Sequence, residues 1–169
     1  MDAAPAPSPR RVPDPQRRPL GSGDEWVDGP RGRFWGGFGA AGLLVAHRTA
    51  GVLLQLRVGW SHFGGTWGLP GGARKEHEDA AAAALREAGE EAGVPARLVR
   101  VVGESVLDYG YWSYTTVLGV VDEPFVPVIA DAESDDLRWV PFAEVDALPL
   151  HPGFAASWPA LRPRIESLV

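Results

Sequence analysis

The chain contains no cysteine, one methionine and, among its sixteen basic residues, a single lysine, Lys75. Without cysteine neither a disulfide framework nor a thiolate metal site can form. The four histidines are scattered at positions 47, 62, 77 and 151, so a tetrahedral zinc site is not expected either. No apolar run has the length needed to cross a bilayer, and the N-terminus lacks the apolar core of a secretory leader. These absences predict a cytoplasmic protein with no membrane partner.

Positive charge is also scarce. Twenty-two acidic residues against sixteen basic ones leave a net charge of −6. Residues 1–33 hold six Arg and five acids, whereas residues 34–169 hold ten basic and seventeen acidic residues. An acidic body repels nucleic-acid backbones, so general DNA or RNA binding is not implied. The preference for Arg over Lys, with many Ala, Gly and Pro, is what a GC-rich genome writes and carries no functional weight.

A length of 169 residues allows one domain with a real core. Residues 1–33 carry seven prolines, at 5, 7, 9, 13, 15, 19 and 30, interleaved with Arg and Gly. Such a composition buries too little surface to offset its ordering entropy, so this stretch is expected to be a disordered tail and residues 34–169 the domain. Within the domain, Ala40–His47 and Val52–Val58 read as two strands of a hairpin around Arg48-Thr49-Ala50-Gly51. Strand-like runs follow at Leu98–Val106, Tyr111–Val121 and Leu137–Val140, a short helix at Phe142–Leu148, and a last helix after Pro152 whose course Pro159 and Pro163 leave open. The chain has no internal repeat, and the alternation of elements predicts a mixed α/β domain.

The chemistry is concentrated between Gly71 and Val94. Asp79–Ala92 is rich in helix formers, with five consecutive alanines, and Gly93 followed by Pro95 supplies a stop. On that helix Ala81, Ala84, Leu85 and Ala88 form a packing stripe, while Glu87, Glu90 and Glu91 lie at i, i+3 and i+4 on another side. Three carboxylates within one turn repel one another, and a cation removes the conflict. Several hard oxygen ligands suit Mg²⁺, with Mn²⁺ the alternative. Arg86 has Glu78 two turns earlier and Glu90 one turn later, so its planar fork can hold carboxylates in place. Gly71 and Gly72 let backbone approach a ligand closely.

Read from Gly72, the pattern is Gly, five residues, Glu78, seven residues, Arg86-Glu87, two residues, Glu90-Glu91, one residue, Gly93 and an aliphatic. It resembles the Nudix box of metal-dependent hydrolases that cut nucleoside diphosphates linked to another group. One position departs mildly: Ala88 stands where a larger aliphatic is common. The resemblance extends less specifically over Phe34–Val169, including the lead-in Trp67-Gly68-Leu69-Pro70 and the downstream Arg138-Trp139-Val140-Pro141. It implies an α/β/α sandwich with a mixed sheet and a loop-helix-loop metal site. By the same resemblance Glu91 is a principal metal ligand, Glu87 and Glu90 help to bind metal, and Gly71 offers its carbonyl. Arg86 and Glu78 orient the rest, with Gly72 and Gly93 as structural support.

The general base differs between Nudix subfamilies, and Glu90 and Glu133 are the two candidates. The family often places a phosphate-reaching cation at the end of the second strand, where this chain has Arg57. Tyr109 and Tyr111 fall where diadenosine-polyphosphate hydrolases tend to carry a tyrosine, and are candidates for substrate binding. The expected partner is a nucleotide, and the expected activity is Mg²⁺-dependent pyrophosphohydrolysis of nucleoside triphosphates, including oxidised ones. The alternatives are a diadenosine polyphosphate, ADP-ribose or nucleotide-sugar hydrolase, and a Nudix-fold sensor that binds without cutting. The intact set of Gly72, Glu78, Arg86, Glu87, Glu90 and Glu91 argues against the sensor.

Overall fold

A computed structural model describes residues 22–169. Its strands are β1 (Trp26–Gly29), β2 (Gly32–Trp35), β3 (Ala40–His47), β4 (Gly51–Arg57), β5 (Trp67–Gly68), β6 (Gly71–Ala73), β7 (Arg100–Asp108), β8 (Ser113–Val120) and β9 (Ser134–Val140). The helices are α1 (Ala80–Ala92) and α2 (Pro152–Glu166), with 3₁₀ turns at Ala96–Leu98 and Phe142–Ala147.

Seven strands form one mixed sheet. β3 pairs in parallel with β8 along its length, from Ala40↔Tyr114 to Ala46↔Val120, and β8 pairs antiparallel with β7. β9 lies antiparallel to β4. β3 and β4 themselves pair only beside their turn, at Ala46↔Val52 and His47↔Gly51, and then splay apart. The short strands β6, on β3, and β5, on β4, fill that wedge. A backbone bond from Leu43 N–H to Pro70 O, 2.9 Å, fastens the intervening loop. The fork opens the sheet where the expected metal-site loop begins.

Each face of the sheet is covered by one helix. On one, Leu43, Val45, Leu53, Val117 and Val121 meet Ala80, Ala83, Ala84, Ala88 and Ala92 of α1. The buried stripe is thus rotated from the expected Ala81, Ala84, Leu85 and Ala88, leaving Ala81 and Leu85 at its margin, because close approach to the sheet selects the smallest side chains on the helix. On the other face Leu44, Val52, Leu54, Leu118 and Val120 meet Phe154, Trp158, Leu161 and Ile165 of α2. That i, i+4, i+7, i+11 spacing carries α2 through Pro159 and Pro163, both of which face solvent, where water can hydrate the carbonyls the prolines leave unpaired. Among the described residues no helix is long and apolar enough to cross a membrane.

The tail boundary expected at residue 33 is corrected by the hairpin β1–β2, in which Trp26 pairs with Trp35 and Gly29 with Gly32. Residues 1–21 of that stretch lie outside the described residues. The expected tail holds Trp26 and Val27, which pair across a turn with Trp35 and Phe34 of the domain. Phe34 stacks on Trp112 at 4.3 Å, Trp112 Nε1–H donates to Trp35 O at 3.1 Å, and the Tyr111 hydroxyl donates to Gly32 O at 3.0 Å. Deleting residues 1–35 is therefore expected to lower the melting temperature by roughly 5–10 °C, since several large rings lose cover. An unchanged thermal melt of that truncation would show that the hairpin contributes nothing.

Candidate active site

Local sequence builds the site from both ends of α1. At its start, Asp79 caps the helix by accepting Ala82 N–H at 2.7 Å. At its end Gly93, with φ 62°, donates to Ala88 O and Gly89 O and turns the chain away. Two last-turn carbonyls are then taken by the segment before β9. Val128 N–H donates to Ala92 O at 3.0 Å and Ala130 N–H to Glu91 O at 3.3 Å. These bonds lay residues 128–133 across the helix end and bring their acids to Glu91.

The acidic residues fall into two groups. In the first, the Arg86 fork reaches Glu78 through Nε, 2.8 Å, and Nη2, 3.0 Å, and Glu87 through Nη1, 2.5 Å. Nη2 also donates to Ala73 O at 3.0 Å, and Glu90 lies 3.6 Å from Nη1 on the exposed side. Arg86 holds the Glu78 carboxyl below its usual range, whereas burial pushes that of Glu87 up despite the same partner. Gly72 is required by this packing, because a Cβ there would sit 2.7 Å from the Glu87 carboxyl carbon.

The second group is Glu91, Asp131 and Glu133, each of which offers a carboxylate oxygen within 4.8 Å of the others. Glu91 is buried and accepts Gly71 N–H at 3.0 Å. Burial raises its pKa well above the ordinary value, and Glu87, Asp131 and Glu133 raise it further. No guanidinium or ammonium group pairs with these three carboxylates among the described residues. A divalent cation fits such a donor set, since it would supply the missing countercharge to oxygen ligands that a hard metal prefers.

The expected face of Glu87, Glu90 and Glu91 is present on α1, and its carboxylates take two sets of partners. Glu87 and Glu90 turn to Arg86, while Glu91 turns to the loop. Gly71 donates its N–H to Glu91. Asp131 was not anticipated, although a detectable signal existed: residues two apart in an extended segment project to one side, so Asp131 and Glu133 belong together. A buried polar chain positions it. Gln55 Nε2–H donates to Ser134 Oγ at 2.7 Å, and Ser134 Oγ donates to Asp131 Oδ1 at 3.1 Å, which also accepts Glu133 N–H at 3.1 Å.

Of the residues expected at the substrate, Arg57 stands at the end of β4. Its Nε–H donates to His62 O at 2.9 Å, and its charge is felt by Tyr114 and His151. Tyr109 and Tyr111 meet the N-terminal hairpin. Tyr109 lies 5.5 Å from Phe34 and under the Arg31 guanidinium at 4.9 Å, and Tyr111 is bonded to Gly32.

Family comparison agrees with this geometry, the NUDIX domain model matching residues 37–161. The chain belongs to the Nudix family. It is 50% identical over 153 residues to a Mycobacterium tuberculosis protein named "Putative 8-oxo-dGTP diphosphatase 3", covering 84% of this chain and 70% of that one. It is 39% identical over 156 residues to a Bifidobacterium longum nucleoside triphosphate pyrophosphatase/Nudix hydrolase fusion protein, of whose length it spans 32%. Among solved structures, RenU, a Nudix hydrolase from M. smegmatis, superposes with a TM-score of 0.79 at 48% identity, covering 87% of this chain and 98% of RenU. The expected Nudix sandwich is therefore observed, and the chain is a Nudix hydrolase acting on phosphoanhydride bonds.

Proposed function

We propose that this Nudix hydrolase cleaves nucleoside triphosphates, oxidised ones included, with Mg²⁺ as its preferred cation. The observation that carries the metal site is the buried Glu91 carboxylate, which gathers Asp131 and Glu133 around it without a cationic side chain. Glu91 and Asp131 would hold a divalent ion, with Glu87, Glu90 and the Gly71 carbonyl completing its surroundings. Such an ion, when bound, neutralises phosphate oxygens and makes water more acidic. Arg86 keeps Glu78 and Glu87 fixed, and Arg57, at the end of β4, supplies a cation for the negative phosphate chain. Glu133, exposed at the rim of its cluster, takes the proton of the attacking water; Glu90 is the other candidate.

The triphosphate reading is supported by the 50% identical relative, whose printed name is a diphosphatase of 8-oxo-dGTP. It is tested by a panel of normal and oxidised nucleoside triphosphates, diadenosine polyphosphates, ADP-ribose and nucleotide sugars, assayed with Mg²⁺ and with Mn²⁺. A triphosphate is expected to give the highest kcat/KM. A dinucleotide or sugar conjugate above every triphosphate would overturn this assignment. On the same panel Glu133→Gln is expected to lower kcat with little change in KM, and a loss found only in Glu90→Gln would move the base to the helix.

A further inference from the structure

Away from the carboxylates, aromatic rings form a continuous line. Trp26 on β1 stands edge-on to His62 at 6.0 Å, His62 lies 4.1 Å from Phe63, and Phe63 stands edge-on to His151 at 4.9 Å. The line starts on the N-terminal hairpin, crosses the loop between β4 and β5, and ends at the N-cap of α2. The core does not require it. Phe63 is 44% exposed and holds φ at 57°, a left-handed conformation that bulky residues rarely adopt. Backbone strain of this kind clusters where a ligand is clamped.

The ring line and the carboxylates flank the same end of β4. The ring-bearing loop begins at Val58, whose N–H donates to Glu133 O at 3.0 Å, and Arg57 ties the loop inward through His62 O. On the far side His151 N–H donates to Trp67 O at 2.7 Å, which straps the lead-in of α2 to β5.

His151 gives the line a polar end. Its Nδ1 accepts Gly153 N–H at 3.1 Å, which places the proton of the neutral ring on Nε2. Among the described residues Nε2 meets no acceptor, and it is not a sealed polar atom, since the one sealed side-chain atom lacking a partner is Trp158 Nε1. Burial, then the charges of Arg57 and His62, pull the imidazole pKa down to about 4, so the ring stays neutral and keeps this tautomer near pH 7. The result is a donor of fixed direction with no protein partner among the described residues, beside the ring of Phe63.

We propose that Trp26, His62, Phe63 and His151 form the nucleobase subsite, with Phe63, backed on one side by His62, stacking on the base and the Nε2–H of His151 donating to a carbonyl oxygen on its edge. This rests on the nucleoside triphosphate reading above. Stacking accepts any base, because each has a π-face, while the donor favours bases that carry a carbonyl there. The ligand class is therefore a nucleotide whose base carries a carbonyl on that edge, guanine among them. Trp26 makes the hairpin part of the substrate wall.

The test compares wild type, Phe63→Ala and His151→Asn on three triphosphates: dGTP, its 2-aminopurine analogue lacking the 6-oxo group, and 2-deoxyribose 5-triphosphate, which lacks a base. Asn keeps the helix cap but is too short to place a donor where Nε2–H lies. Phe63→Ala is expected to raise KM for dGTP about 10- to 100-fold, the range for losing one stacked base, with kcat and base-free hydrolysis nearly unchanged. His151→Asn is expected to erase the preference for dGTP over the 2-aminopurine analogue. Unchanged KM in both variants, or an equal rise for the base-free substrate, would sink the subsite. Calorimetric titration of dGMP into the three proteins separates the two claims. If wild type cuts no triphosphate, the functional reading fails, and dGMP affinity still decides the subsite: a loss of binding in Phe63→Ala supports it, equal binding overturns it.

Discussion

Glu91→Gln is expected to lower turnover in Mg²⁺ by about 10²-fold or more, the scale on which a single well-placed electrostatic group acts. The structural reason is that Glu91 alone belongs to both the helix and the loop cluster. It is buried, it accepts Gly71 N–H, and it faces Asp131 and Glu133. Glutamine preserves the shape and the Gly71 bond, so the fold should survive. The metal-free stability carries a sign that separates a ligand from a structural acid. The folded pKa of Glu91 is raised above 4.5, so its ionised form costs stability, and that cost grows as pH rises through the folded value. Metal-free Glu91→Gln should then melt no lower than metal-free wild type at neutral pH. Adding Mg²⁺ or Mn²⁺ should raise the melting temperature of wild type and barely move that of the variant. A variant that still gains the full metal-induced shift, or turns over near the wild-type rate, would remove Glu91 from the metal site.

Much of this site was legible in the sequence, and the parts that were not share a cause. The helix, its stop at Gly93, and the spacing of Glu78, Arg86, Glu87, Glu90 and Glu91 are local features, and the structure reproduces them because local hydrogen bonds and helical period decide them. The strands β3, β4, β8 and β9 were visible as apolar runs, although the fork between β3 and β4 was not, since it depends on two-residue and three-residue strands too short to leave a pattern. The division of the carboxylates is tertiary. It comes from backbone bonds between α1 and residues 128–130, some forty positions later, which no periodicity records. Gln55 offered one overlooked sign: an amide inside the apolar strand Gly51–Arg57 must find a partner, and it finds the serine that holds Asp131. The hairpin was missed for the opposite reason. The prolines and arginines of residues 1–33 masked an apolar pair, Trp26 and Val27, whose hairpin packs through Phe34 against Tyr109, Tyr111 and Trp112, contributed by a distant turn.

Arg86→Ala carries the largest expected effect on stability, roughly 2–3 kcal/mol, or about 4–12 °C in melting temperature for a chain of this size. The guanidinium serves Glu78 twice, Glu87 once and the Ala73 carbonyl, and it is itself only one-fifth exposed. Removing it leaves the mostly buried Glu87 carboxylate without its partner, and the usual cost of breaking a buried pair is reduced here because solvent reaches the group from the Glu90 side. Arg86→Lys should recover only part of the loss, since one ammonium cannot reproduce a planar fork shared among three acceptors. The pH dependence follows from the same contacts. Arg86 holds the folded Glu78 carboxyl below its unfolded value of 4.5, so that part of its contribution is present above 4.5 and lost as falling pH protonates Glu78 in the folded protein, whereas Glu87, pushed up by burial, protonates at higher pH and gives up its pairing first. Melting curves of wild type and Arg86→Ala should therefore converge in acid and separate towards neutrality. Curves separated by the same interval at every pH would show that the guanidinium acts through packing, and turnover falling in step with folded fraction alone would show that it does not order the acidic residues for hydrolysis.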